Sequence, residues 1–376
     1  MGKYDFNKVW ERTGHNALKW DINPMAGRAK SPDFSYLPMW IADMDVATAP
    51  SVVEAMRERL EHPLFGYYMD PDRYYNAIID WQRERFGVNG LTKANIGYEN
   101  GVLGGVTGVL KNNEMNIVSS DLKKDENGVW RMDFEDMEKK IQENGIQVAI
   151  FCNPHNPTGR VWTKEEINDY INLMGKYGIT VISDEIWADF MIAEGKKHTP
   201  TQSVSDLAKR ITCAFYAPSK TFNLAGLVGS YHVIYRKELR DRILKQESLS
   251  HYNSANIMST YALIGGYEGG AEWVDELCEH IRGNMEYTEN YVKEHMPLVD
   301  FKANEGCYCS LMDWGRWLEE KGKDMDDLLN DIAWVGLAFN DGRAFHANTA
   351  VRVNFACPRQ YVVEMLDRLD KYVYNK

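Results

Sequence analysis

Residues 147–159, QVAIFCNPHNPTG, and 210–220, RITCAFYAPSK, are built alike: a short apolar run ends abruptly in polar, turn-forming residues. Apolar runs of this length between turn signals read as strands buried on both faces, the pattern of a parallel sheet. Between them Ile179–Ile182 is a third such run, and it ends in Ser183, Asp184 and Glu185. The stretch joining the first run to this one carries Thr163-Lys-Glu-Glu166, a capping box. A helix is therefore expected to about Lys176, with Gly178 just past its end. Strand, helix and strand in this order predict an α/β fold. Open α/β sheets bind ligands at the carboxyl ends of their strands, and there the sequence sets Asn156, Asp184 and Lys220. An amide, a carboxylate and an amine are thus expected to meet in one site.

Working outward, 376 residues are too many for one small core. The alternating middle of the chain predicts a large domain over 46–271. From about Glu272 the pattern changes: helical periodicity over Trp273–Lys293 and Met325–Ala333 surrounds strand-like Cys307–Met312 and Val351–Phe355. Residues 272–376, joined by 1–45, are expected to form a smaller α+β domain. The net charge of −12, with no block of Lys or Arg, argues against nucleic acid or an anionic membrane as partner. No apolar run is long enough to span a bilayer, and the opening MGKYDFNKVWERTG has no apolar signal core; a cytoplasmic protein is expected. The six cysteines are scattered, and Cys307 and Cys309 have no second pair at zinc-site spacing, so structural roles and no metal are expected.

Six stretches in order, LPMWIADMD (37–45), FGY (65–67), NPHNPTG (153–159), SDEIWADF (183–190), APSKTFNLAGL (217–227) and RVNFACP (352–358), resemble the fold-type I enzymes that use pyridoxal 5′-phosphate (PLP). Within them the chain is most similar to the MalY/PatB-type cystathionine β-lyases, which are related to the class I and II aminotransferases. The resemblance runs over nearly the whole length. It implies that Lys220 binds PLP as a Schiff base and acts as the base at the substrate Cα, since a primary amine can do both. It further implies that Asp184 pairs with the ring nitrogen, Asn156 with the phenolic oxygen, and Ser219 and the Gly101-Val102-Leu103 turn with the phosphate. The turn is expected to open a helix over Val102–Leu110, whose N-terminus suits an anion. Tyr67 is expected to reach the phosphate of a neighbouring subunit, which implies a homodimer. Arg352 would grip the substrate carboxylate with its planar pair of donors, and Trp40 and Asp43 would lie near the substrate entrance.

Two departures separate the chain from general aminotransferases of this fold. Trp187 stands in the cofactor site where many of them carry tyrosine, and Val228 stands where they carry a phosphate-binding arginine. Both favour β-elimination of an L-cysteine S-conjugate such as cystathionine, giving a thiol, pyruvate and ammonia. Amino transfer, or a non-catalytic binding role, is the alternative. A third departure is larger. After Leu103 the sequence runs almost directly into the next shared motif, with no room for a parallel crossover of a strand and a helix. The aromatic residue that stacks on the cofactor ring in relatives belongs to that missing piece, and no aromatic residue lies between Tyr98 and Trp130. Weakened PLP binding is the expected consequence.

Overall fold

The computed structural model describes residues 2–101, 114–250 and 256–376. Its strands are β1 (Leu37–Pro38), β2 (Ile96–Glu99), β3 (Lys123–Lys124), β4 (Trp130–Arg131), β5 (Val148–Cys152), β6 (Thr180–Asp184), β7 (Thr212–Tyr216), β8 (Ser230–Val233), β9 (Cys309–Asp313), β10 (Leu337–Ala338), β11 (Asn340–Asp341) and β12 (Ala350–Asn354). The central sheet has the order β2-β8-β7-β6-β5. β5, β6 and β7 run parallel, while β8 is antiparallel to both β7 and β2. The sheet is thus mixed: the apolar runs β5, β6 and β7 form the parallel part they predict, and β8 and β2 add antiparallel pairings, with helices flanking it as α/β architecture requires. The expected helix after β5 spans Lys164–Lys176, with the Thr163–Glu166 capping box formed and Gly178 in left-handed geometry at φ +68°. A second, antiparallel sheet of order β11-β12-β9 and the helix Ala271–His295 lie in the C-terminal part. The N-terminus joins that part: β1 pairs with β10, and the Phe6 ring packs edge-on against Trp273 at 5.7 Å.

Three local expectations are corrected. Arg210 and Ile211 end the helix Asp206–Ile211 rather than opening β7. Cys307 stands before β9 in left-handed geometry, φ +66°. The third matters most. β5 is not buried on both faces: Val148 and Ile150 are 41% and 44% exposed. Its register pairs it with β6 on one side only, and no strand covers its other edge among the described residues. An apolar sequence such as VAIFC belongs in a sheet interior, and here it forms the edge. The expected helix over Val102–Leu110 lies outside the described residues.

Candidate functional site

Each parallel strand delivers its polar residue where the sequence set it. Cys152 is in register with Asp184, and Asp184 with Phe215 of the strand that leads into Lys220. Pro218 starts a single helical turn, Pro218–Thr221, so that Lys220 projects immediately after β7. Its Nζ donates to the Ala42 carbonyl at 2.8 Å, and the Tyr308 hydroxyl donates to the same oxygen at 3.2 Å. The ammonium lies 6.0 Å from the Trp187 ring centroid. Burial lowers the Lys220 pKa, and the nearby Arg352 guanidinium pushes it the same way against Cys309 and Asp43.

Asp184 is buried and accepts one hydrogen bond, from the Ile186 N–H at 3.2 Å to Oδ1. Burial raises its pKa to about 6, and Lys220 opposes that rise only weakly. A carboxyl group so placed lacks a cation. Asn156 lies across the site, its Oδ1 accepting from Arg352 Nη1 at a long 3.4 Å. Arg352 is anchored more firmly through Nη2 to Asn340 Oδ1 at 2.7 Å, and its guanidinium stacks on the Phe345 ring at 4.5 Å. Two buried donors here, Trp187 Nε1 and Arg352 Nε, have no partner among the described residues. Buried polar atoms are seldom left so. Unspent donors beside a carboxyl that wants a cation, and a depressed amine, are what a polar, cationic-ring cofactor would satisfy. The residues therefore fit PLP.

The resemblance motifs meet in this site through a knot that single motifs do not reveal. The loop 40–46 is held from three directions. Asn354, fully buried, donates to the Ile41 and Asp43 carbonyls at 2.7 and 2.8 Å. Asn223, three residues after Lys220, exchanges bonds with Met44: its Nδ2 donates to the Met44 carbonyl at 3.0 Å and its Oδ1 accepts from the Met44 N–H at 3.2 Å. Arg12 and Lys19 clamp Asp45 at 2.7 and 2.5 Å, and Arg12 also binds Asp43 at 2.8 Å. The side chains of Trp40 and Asp43 are thus engaged in structure, Trp40 Nε1 donating to the Lys19 carbonyl at 3.1 Å. What this loop presents to Lys220 is the backbone oxygen of Ala42.

Sequence reading missed Ala42, Arg12, Lys19, Asn223 and Tyr308. A carbonyl carries no sequence signal, and Arg12 and Lys19 lie in a stretch without periodicity. Tyr308 was flanked by the Cys307–Cys309 pair yet passed over; its ring packs edge-on against Trp187 at 4.6 Å and Phe190 at 4.9 Å. Other expected residues stand apart. The Gly101 N–H, at φ +89°, donates to Ser230 Oγ at 3.0 Å, while Val102 and Leu103 lie outside the described residues. The Ser219 side chain makes no hydrogen bond among the described residues, which leaves it open to an anion. Tyr67 is fully exposed, beside exposed Leu64, Phe65 and Met69.

Residues 104–369 match the family described as aminotransferase class I and II. The chain is 30% identical over 338 residues to the cystathionine β-lyase PatB of Bacillus subtilis, covering 83% of this chain and 85% of that protein. It is similar in structure to a PLP-bound protein of Clostridium difficile 630, with a TM-score of 0.90 and 30% identity over 98% of this chain and 99% of the other. The PLP-bound C–S lyase of Staphylococcus hominis matches with a TM-score of 0.87 and 27% identity over 98% of both chains.

Proposed function

Because this chain belongs to the aminotransferase class I and II family, we propose that it is a PLP-dependent carbon–sulfur β-lyase acting on L-cysteine S-conjugates such as cystathionine. The observation that carries this reading is the depressed amine of Lys220 set between Asp184 and Arg352, with unspent donors around it. When bound, PLP supplies the electron sink that breaking the Cα–H and Cβ–S bonds requires. Lys220 and Asp184 would hold it, with Asn156 at its phenolic oxygen, Trp187 beside the ring, and Ser219 and Gly101 towards its phosphate.

The protein's own groups account for the remaining tasks. Arg352 takes the substrate carboxylate, exchanging its long bond to Asn156 for a bidentate pair and keeping Asn340 as its brace. This fixes the Cα–H bond towards Lys220. The amine, neutral at lower pH than an exposed lysine, takes the Cα proton at Nζ. The Ala42 carbonyl and the Tyr308 hydroxyl mark a place for Nζ while it is free of the cofactor. The thiol leaves from Cβ, and water completes pyruvate and ammonia. A homodimer is part of this reading: Tyr67, with Leu64, Phe65 and Met69, forms an exposed apolar patch of the kind that marks an interface. The division into a large domain over 46–271 and a smaller one over 1–45 and 272–376 is likewise proposed. Incubation of the PLP-loaded protein with cystathionine tests the activity: pyruvate release supports it, and transfer of the amino group to a 2-oxoacid without pyruvate contradicts it.

A further inference from the structure

Asp189, two residues after Trp187, is a buried acid with no task in the reaction described above. Its Oδ2 accepts from the Thr221 hydroxyl at 2.7 Å and its Oδ1 from the Trp81 indole N–H at 3.1 Å. The Arg85 guanidinium stands 3.8 Å from Oδ1 and binds Asp275 more closely, at 2.7 Å. Burial raises the Asp189 pKa, while Arg85, Thr221 and Trp81 oppose the rise. Each of these neighbours offers a proton, so the group fits them as a carboxylate. A carboxylate held in the interior without a close cation costs stability. Packing alone would be served better by an apolar side chain.

What the carboxylate joins explains its presence. On one side is the segment that carries Trp187. Its backbone is fixed by the Ala188 N–H on the Glu185 carbonyl and the Phe190 N–H on the Trp187 carbonyl, both at 3.0 Å. The Cys278 thiol adds a bond to the Asp189 carbonyl at 3.6 Å. On the other side is Lys220, in a helix of a single turn, Pro218–Thr221, too short to be stable by itself. Thr221 is fully buried next to it, and its bond to Asp189 ties that turn to the Trp187 segment. A charged acceptor makes such a bond short and strong. Trp81, stacked on Tyr267 at 4.6 Å, braces the carboxylate from the helix Asp72–Phe86. The chain Trp81, Asp189, Thr221 therefore governs where Lys220 leaves the backbone, with Nζ 6.0 Å from the Trp187 ring centroid.

We propose that Asp189 is a positioning residue: through Thr221 it fixes the Lys220 turn against the Trp187 segment, and so sets the place of Nζ relative to the cofactor and the substrate Cα. It touches neither of them itself. The inference rests on the lyase reading for turnover and on PLP binding alone for a second readout. Small displacements matter here, since a shift of about 1 Å in a reacting group costs up to about a hundredfold in rate.

Asp189→Ala leaves an unfilled space and an unpaired indole N–H, so it tests the fold as much as the site. Thr221→Val exchanges only a hydroxyl for a methyl group and is the sharper variant; Thr221→Ser keeps the hydroxyl. Two rates are read on protein that thermal unfolding shows to be folded. One is pyruvate release from cystathionine, as kcat and KM. The other is the rate at which added PLP becomes fixed to Lys220, trapped with borohydride at timed intervals and found by mass spectrometry of the Lys220 peptide. Thr221→Val should lower kcat by about tenfold to a hundredfold, change KM by no more than about twofold, and slow fixation by about tenfold. Thr221→Ser should return both rates to within about threefold of native. Native kcat and native fixation in folded Thr221→Val overturn the inference, even if its unfolding temperature falls, and so does a loss in Thr221→Ser equal to that in Thr221→Val. No pyruvate from the native protein overturns the lyase reading instead, and the fixation rate then decides the inference.

Discussion

At Lys220 and Asp184 burial acts in opposite senses, lowering the pKa of the amine and raising that of the acid to about 6. For Asp184 the sign is clear. A carboxyl whose folded pKa lies above its unfolded value favours folding when protonated, so its cost grows as pH rises from about 4 through 6. Without cofactor, Asp184→Asn should therefore be more stable than the native protein at pH 8, by up to about 3 kcal/mol. Thermal unfolding should show that gap closing as pH falls below about 5. The same variant should lose lyase activity, because nothing then favours a protonated ring nitrogen. Lys220→Ala should lower activity by at least roughly 10²–10⁴-fold, read as pyruvate release. Asn156, Asp184 and Lys220 were legible because each follows an apolar run, where strand ends collect ligands. Ala42 and Asn223 were not, since one acts through its backbone and the other through a carbonyl distant in sequence.

The elements repeat that contrast. The helix Lys164–Lys176 was legible to its capping box, and β6 and β7 within two residues, because local pattern decides them. β5 looks the same in sequence and ends differently, because burial of its outer edge needs a neighbouring strand and none pairs there among the described residues. An uncovered apolar edge strand invites pairing with other molecules. Val148→Lys should reduce aggregation on heating, seen by light scattering, while changing stability by no more than about 0.5 kcal/mol. The loop 40–46 behaves as an element too, although it is neither helix nor strand. Lys19 is fully buried against Asp45, so Lys19→Ala leaves that carboxylate short of a partner and should cost about 3 kcal/mol in denaturant unfolding. Arg12 and Trp20 remain on Asp45 and keep the loss from being larger.

On the scale of the whole molecule, the frame of the site and the grip on the cofactor are separate matters. Five of the six motifs converge on Lys220, while FGY (65–67) stands apart with Tyr67 exposed. No aromatic residue lies between Tyr98 and Trp130, where the resemblance implies a ring stacked on the cofactor, a contact worth about 0.5–1.5 kcal/mol. Spectrophotometric titration should accordingly show PLP held roughly two- to tenfold more weakly than by an intact relative such as PatB. If Tyr67 completes the partner's site, mixing Tyr67→Ala with Lys220→Ala protein should restore roughly a quarter of native activity, because random pairing gives mixed dimers with one whole site. The central claim, that Lys220 carries out PLP-dependent carbon–sulfur β-elimination, is tested most directly by one measurement. Purified PLP-loaded protein is given an L-cysteine S-conjugate, and thiol and pyruvate are counted together. Equal amounts of both, formed without any 2-oxoacid and abolished by Lys220→Ala, are predicted; pyruvate that persists in Lys220→Ala, or amino transfer without thiol release, would contradict the claim.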